Sequence, residues 1–271
     1  AKMLRHINAD KRYVKAHGMK LFDDTEKEYL DFTAGYGTLC LGHNPAEVLQ
    51  AVQDAAALPT IYSFYTGTHP LIGALSENLY RILPGKLDIS SFGNGGVEAV
   101  EIALKTARAA TGKKRFIYVN NAYHGLSFAG LSISDSNYKH YFEPLLEKCE
   151  KVDFGNLEAL EAKLKQDDVA AFITEPIQCE AGCIIPPEGY LTGAQELCKK
   201  YGALLIFDEI QTGFGRTGKM FAAQHHNVEP DIITLGKAFS AGIVPISVSA
   251  TSMPIWKKAY NKKGAYDSLL S

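Results

Sequence analysis

Asp208 and Lys237 each follow a short apolar run: Ala203-Leu-Leu-Ile-Phe207 precedes the acid, and Asp231-Ile-Ile-Thr-Leu235 with Gly236 precedes the amine. Runs this short, rich in Ile and Leu and closed by polar or Gly residues, read as core strands of a parallel sheet rather than as helices. Open α/β sheets hold ligands beyond the carboxyl ends of such strands, so both side chains are expected to project toward one crevice. A lysine amine condenses with an aldehyde when its surroundings disfavour the ammonium form. A carboxylate facing a pyridine nitrogen keeps that nitrogen protonated, so the ring can accept electrons from a substrate carbanion. Taken alone, such an acid and amine are more often a helix cap and a solvated charge, and the words around them decide.

A second chemical word is Phe92-Gly-Asn-Gly-Gly-Val-Glu-Ala99. A helix reading Glu98 to Thr111 begins directly after Gly95-Gly96, and free backbone N–H groups at a helix start attract a phosphate. One Gly-rich turn is weak evidence for that. Pyridoxal phosphate would use both words, since it carries an aldehyde, a pyridine ring and a phosphate.

The run Asp208-Glu-Ile-Gln-Thr-Gly-Phe-Gly-Arg-Thr-Gly218, followed by Pro230-Asp-Ile-Ile-Thr-Leu-Gly-Lys237, closely resembles the class III aminotransferases, the ornithine and omega-amino acid group of fold type I pyridoxal-phosphate enzymes. The resemblance covers nearly the whole chain. It implies an α/β fold, a mostly parallel mixed sheet flanked by helices, with residues 1–60 belonging to a smaller domain and residues 61–271 forming the large cofactor-binding domain. Lys237 becomes the Schiff-base lysine and Asp208 the partner of the pyridine nitrogen. Gly95, Gly96 and Val97 take the phosphate, Tyr123 of the Tyr123-His124-Gly125 word stacks on the ring, and Gln211 reaches the phenolic oxygen. Glu175, in Glu175-Pro-Ile-Gln178, lies near the cofactor, while Tyr36 and Glu180 are candidate substrate contacts. Without that context Tyr36 is a structural turn, Tyr123 an aromatic under a loop, and both acids loop charges.

The sequence departs from the family's pattern in two places. Where members usually have hydroxyls around Gly95-Gly96-Val97, only the backbone N–H groups of Gly96 and Val97 remain. Members that grip a carboxylate often have Arg directly after the aromatic-His-Gly word, where a guanidinium holds both oxygens; this chain has Leu126. That argues for an amine lacking a carboxylate, or for a group held elsewhere. In overall look the chain is most similar to putrescine and other diamine aminotransferases, although those members tend to have a polar residue at the Leu126 position, and the implied donor is putrescine-like or ornithine-like. The implied reaction is a ping-pong transfer from an amine to a 2-oxo acid in a cytoplasmic homodimer. The rival readings are a class III aminomutase and a non-catalytic fragment. The last is kept because members continue past the lysine into a C-terminal domain that is expected to be missing beyond Ser271.

Composition agrees with a soluble globular enzyme: 271 residues, 46% hydrophobic, 21% charged and a formal net charge of −2. The near-neutral balance offers no electrostatic reason for a nucleic acid or an anionic membrane as partner. Cysteines at 40, 149, 179, 183 and 198 are odd in number and lack paired CxxC spacing, so reduced thiols are expected rather than a disulfide framework or a zinc site. Adjacent His225 and His226 point apart on a helix or a strand, which disfavours a metal pair.

The elements that must position these groups follow from periodicity. Arg12 to Asp31 reads as a small antiparallel ribbon turning at His17-Gly18, and Asp31 to Thr38 as a Gly-rich loop. Asn44 is expected to cap a helix with Pro45 at its first position. Residues 59–70 break that helix, and another runs from Leu71 to Leu83. Arg115–Asn120, Val169–Thr174 and Pro245–Ala250 read as strands, and Asn156–Gln166 and Gly189–Tyr201 as helices.

Overall fold

The computed structural model describes Leu4, residues 10–61 and residues 67–261. The break expected at residues 59–70 lies partly outside these, at 62–66, as does the expected end of the large domain from residue 262 onward. By their internal contacts, Ala1–Ser63 with Lys237–Val244 form one compact unit, and Phe64–Gly236 with Pro245–Ser271 form another.

The smaller unit opens with strands β1 (Tyr13–His17), β2 (Lys20–Asp23) and β3 (Glu28–Leu30), an antiparallel sheet in that order. Gly18 turns between β1 and β2 with φ 55°, a left-handed conformation that costs a residue without Cβ little. Asp23 closes the next turn by accepting from the Thr25 hydroxyl (2.7 Å), the Tyr29 hydroxyl (2.7 Å) and the backbone N–H groups of Thr25 and Lys27. These donors, Thr25 first, hold its carboxyl well below the usual range. The Gly-rich stretch contains one helical turn, α1 (Ala34–Gly37), in which Gly35 and Tyr36 are left-handed. Helix α2 (Ala46–Ala57) follows. Asn44 does not cap it. The residue is left-handed (φ 54°) and its side-chain amide donates to the Ala16 carbonyl at 2.8 Å, so it ties the ribbon down instead.

The larger unit is a seven-stranded sheet in the order β4-β10-β9-β8-β7-β5-β6. The strands are β4 (Ile89–Gly93), β5 (Arg115–Val119), β6 (Cys149–Val152), β7 (Val169–Thr174), β8 (Leu204–Asp208), β9 (Ile232–Leu235) and β10 (Ser247–Thr251). Only β10 runs against its neighbours. Helices α3 (Pro70–Ile82), α4 (Gly96–Thr111), α5 (Phe128–Ser132), α6 (Leu157–Leu164), α7 (Tyr190–Tyr201) and α8 (Met253–Tyr260) flank it. Every residue of β7 is buried, as a central parallel strand covered on both faces requires.

Helix α4 starts at Gly96, two residues before its expected start, and buries Ala99, Val100, Ala103, Leu104 and Ala107 on one face. Small residues there let the helix axis approach the strands. Gly112, left-handed at φ 71°, ends it. On α6, Asn156 caps by accepting from the Ala159 N–H, and Leu160 and Leu164 are fully buried, each stabilising the fold by about 1.5–3 kcal/mol.

Four elements carry too weak a pattern to be read from sequence. Strand β4 mixes Ser with apolar residues and is half-buried throughout, and β6 is a charged edge strand, Cys-Glu-Lys-Val. Helix α5 is only five residues long, and α8 follows β10 after a single residue. Among the described residues, no helix is long and apolar enough to cross a membrane.

Candidate active site

The larger unit gathers most of the chemical residues at the carboxyl ends of β8, β7 and β5. Asp208 is the last residue of β8 rather than the first after it, and its ladder partner on β9 is Thr234. Its side chain is 4% exposed and held on both oxygens. Oδ1 accepts from the Ile210 N–H at 3.1 Å and the Thr234 hydroxyl at 3.2 Å, and Oδ2 lies 2.7 Å from His124 Nδ1. A carboxylate only accepts, so Nδ1 of that imidazole carries the proton. His124 is itself fixed by its backbone N–H, which donates to the Ser134 hydroxyl at 2.8 Å.

Glu175 follows β7. It accepts from the Tyr123 N–H at 2.9 Å and the Cys179 N–H at 3.2 Å, so one buried acid ties the β5 loop to the β7 loop. Burial, reinforced by the Asp208 charge and opposed by His124, pushes its carboxyl up to about 7. The Tyr123 side chain, by contrast, is 40% exposed.

The Gly-rich turn lies at the start of α4. Glu98 Oε2 accepts from the N–H groups of Asn94 (2.5 Å) and Gly95 (2.8 Å). Gly96 and Val97 are the first two residues of the helix, whose N–H groups have no carbonyl within it. A Cβ on Gly96 would stand 3.0 Å from Ile210 Cδ1, and one on Gly236 would stand 3.5 Å from an Ile210 methyl and from Gly96 Cα. Bare backbone at Gly96 therefore lets Ile210 pack close against the α4 start, whereas a Cβ at Gly236 would meet only ordinary van der Waals contacts. The Val97 side chain is turned away against Gly125 and Gly130, either of which would clash with it if it carried a Cβ.

Leu126 is 71% exposed and, with Tyr123, Asp135, Tyr138 and Glu180, lines a cavity of about 330 Å³. A larger cavity of about 700 Å³ lies among Thr111, Lys113, Gln195 and Lys199 and includes none of these groups. Gln211, half-buried, lies three residues past Asp208. Lys237 is counted with the smaller unit, as is Tyr36, which is 70% exposed. Lys237 follows β9 through Gly236, three residues after Thr234, and opens a short 3-10 turn, Lys237–Ser240, with φ 45°.

Sequence reading missed the supports: Thr234, Ser134 and Glu209. Glu209 is fully buried and accepts from the Thr212 hydroxyl (2.9 Å) and the N–H groups of Ala222 (2.7 Å) and Ala223 (2.8 Å). It ties both ends of the Gly-rich segment that follows β8. An acid beside Asp208 at the end of an apolar strand was the one available signal.

The aminotransferase class-III family profile matches residues 5–263. The chain belongs to that family. Among solved structures, the chain is 34% identical to an ornithine aminotransferase from Toxoplasma gondii (TM-score 0.84), covering 97% of this chain and 64% of that one. It is 28% identical to a transaminase from the marine bacterium Virgibacillus (TM-score 0.88), with 97% and 64% covered. It is 27% identical to an omega transaminase from Pseudomonas jessenii in complex with PMP (TM-score 0.90), with 99% and 66% covered. The chain thus spans a little under two thirds of these relatives' length. The family is one of pyridoxal-phosphate enzymes, and the mixed, mostly parallel sheet flanked by helices is the fold type I architecture. In the Toxoplasma enzyme pyridoxal phosphate occupies the active site in part.

Proposed function

We propose that this chain carries the cofactor site of a transaminase that moves an amino group from a primary amine or omega-amino donor, putrescine-like or ornithine-like, to a 2-oxo acid by a ping-pong mechanism. The observation that carries the reading is the buried Asp208 carboxylate, with Oδ2 on the His124 imidazole and Oδ1 on Ile210 and Thr234. A carboxylate excluded from water and held on several sides is suited to pairing with a ring N–H⁺.

The residues present fit pyridoxal phosphate. Gly96 and Val97 offer N–H groups at a helix start, and the missing Cβ at Gly96 keeps Ile210 packed close beneath that turn. In this reading Gly95, Gly96 and Val97 hold the phosphate, Tyr123 stacks on the ring, Gln211 meets the phenolic oxygen, and Lys237 is the covalent anchor. When bound, the cofactor supplies an aldehyde that takes up the amino group and a protonated ring that accepts the electrons of the donor's C–H bond.

The chain's own residues do the rest. Asp208 keeps the ring nitrogen protonated, and His124 holds Asp208 in the orientation that does so. Lys237, as the free amine, would be the base that takes and returns the proton of the donor carbon. Glu175 orients the Tyr123 backbone. Leu126 gives the cavity an apolar wall with no charge to pair a carboxylate, which favours an amine without one; Glu180 and Tyr36 are the further substrate contacts. The reading includes a homodimer, each subunit completing its partner's phosphate pocket, located in the cytoplasm.

The test is the visible absorbance of the purified chain with pyridoxal phosphate before and after putrescine, together with the Lys237→Ala variant. A cofactor band that bleaches with the amine and is absent in the variant supports the reading. A band that persists in the variant, or no band with the wild type, overturns it.

A further inference from the structure

Gln178 and Ile184 exchange both backbone hydrogen bonds, at 3.1 and 3.0 Å, closing a hairpin whose inner residues are Cys179-Glu180-Ala181-Gly182-Cys183. Within it the Cys183 N–H donates to the Cys179 carbonyl at 3.3 Å, so the two cysteine backbones are tied to each other directly. Chains joined by an antiparallel bridge and a turn bond one residue further in keep their Cα atoms within about 6 Å, inside the 4.4–6.8 Å range that a disulfide spans. Both thiols are unbridged; Cys183 is exposed and Cys179 half-buried. Gly182 at φ 105° gives the tip the freedom to adjust.

The other cysteines are not equivalent. Cys198 is sealed in the core, and burial pushes the Cys149 thiol up to about 11, so neither readily supplies the thiolate that exchange needs. Cys40 is exposed but belongs to the smaller unit. The Cys179 N–H also donates to Glu175, whose other oxygen holds the Tyr123 N–H. A covalent change at Cys179 therefore acts one bond away from the acid that joins the β5 and β7 loops.

We propose that Cys179 and Cys183 are a dithiol pair that closes reversibly to a disulfide by exchange with a small-molecule disulfide, and that closure draws the Cys179 N–H off Glu175. The Cys183 thiolate attacks one sulfur of the small disulfide, forming a mixed disulfide and releasing one small thiol. The Cys179 thiolate then attacks the Cys183 sulfur and releases the second. Two protein thiols are oxidised and one small disulfide is reduced to two thiols; the two protons lost by Cys183 and Cys179 are taken up, through solvent, by the two departing small thiolates. In a reducing compartment such a pair senses oxidant rather than bracing the fold.

The experiment is independent of transamination. The reduced chain is equilibrated across ratios of oxidised to reduced glutathione, quenched with iodoacetamide, digested and mapped by mass spectrometry, with Cys179→Ser and Cys183→Ser in parallel. The expected result is a peptide spanning both positions that is lighter by two hydrogens, unalkylated at both, and restored by dithiothreitol; Cys179→Ser instead retains glutathione on Cys183. Full alkylation of both cysteines, or a stable mixed disulfide in the wild type, overturns the pair. Amide hydrogen exchange at Tyr123 and Cys179 tests the coupling: at least threefold faster exchange in the oxidised wild type supports it, and unchanged exchange with the disulfide present overturns it.

Discussion

His124 Nδ1 and Asp208 Oδ2 lie 2.7 Å apart, and both residues are almost fully withdrawn from water, at 2% and 4% exposure. Nε2 of the same imidazole has no hydrogen-bond partner among the described residues, so the ring's whole polar investment is in the acid. Asp208→Asn keeps the shape and removes the charge, and turnover is expected to fall by about 100-fold or more. His124→Phe leaves the charge but frees its orientation, with a smaller loss that His124→Asn, which retains a donor, partly restores. Steady-state kinetics of the three variants check this; an Asp208→Asn enzyme of normal turnover refutes the role.

Glu175 predicts a pH dependence of stability in the cofactor-free chain. Its folded carboxyl is raised from 4.5 to about 7, so between these values the folded state holds a proton that the unfolded state has lost. Stability therefore falls as pH rises from about 4.5 to about 7 and levels off above, by on the order of 3 kcal/mol. Glu175→Gln removes that slope, which urea unfolding at a series of pH values measures.

Gly125 is left-handed at φ 106°, and a Cβ there would stand 2.5 Å from Val97 Cγ2. Gly125→Ala is expected to cost about 1–3 kcal/mol, because strain and overpacking act together. The displaced Val97 is in the first turn of α4, so affinity for pyridoxal phosphate should fall as well. Thermal melts and a cofactor titration separate the two effects.

Removing the Glu209 carboxylate strands two buried N–H groups, those of Ala222 and Ala223. Glu209→Ala is expected to destabilise by about 2–5 kcal/mol and to loosen residues 212–223 before the sheet. Denaturant unfolding and hydrogen exchange of that segment report each part.

Leu126→Arg places a guanidinium on the wall of the 330 Å³ cavity beside Glu180 and Tyr123. Under the proposed function, kcat/KM for an omega-amino acid should rise by about tenfold or more relative to putrescine, since a charged pair replaces an apolar wall. An unchanged ratio removes Leu126 from donor selection.

The sequence by itself determined the strands that end at Asp208 and lead to Lys237, the Gly-rich start of α4, and a family match long enough to name the cofactor. These are local properties: apolar runs of strand length, glycines where backbone must stay bare, and an ordered motif. The strand order of the sheet, the His124 and Thr234 contacts to Asp208, and the hold of Glu175 on the Tyr123 N–H were decided only by tertiary structure. Those three contacts join residues between 26 and 84 positions apart, and no periodicity in a chain encodes which distant polar group will share a buried place. The same reason explains Asn44, whose amide chose the Ala16 carbonyl over the helix it precedes. A capping preference is worth about 1 kcal/mol, so a single tertiary hydrogen bond suffices to redirect it.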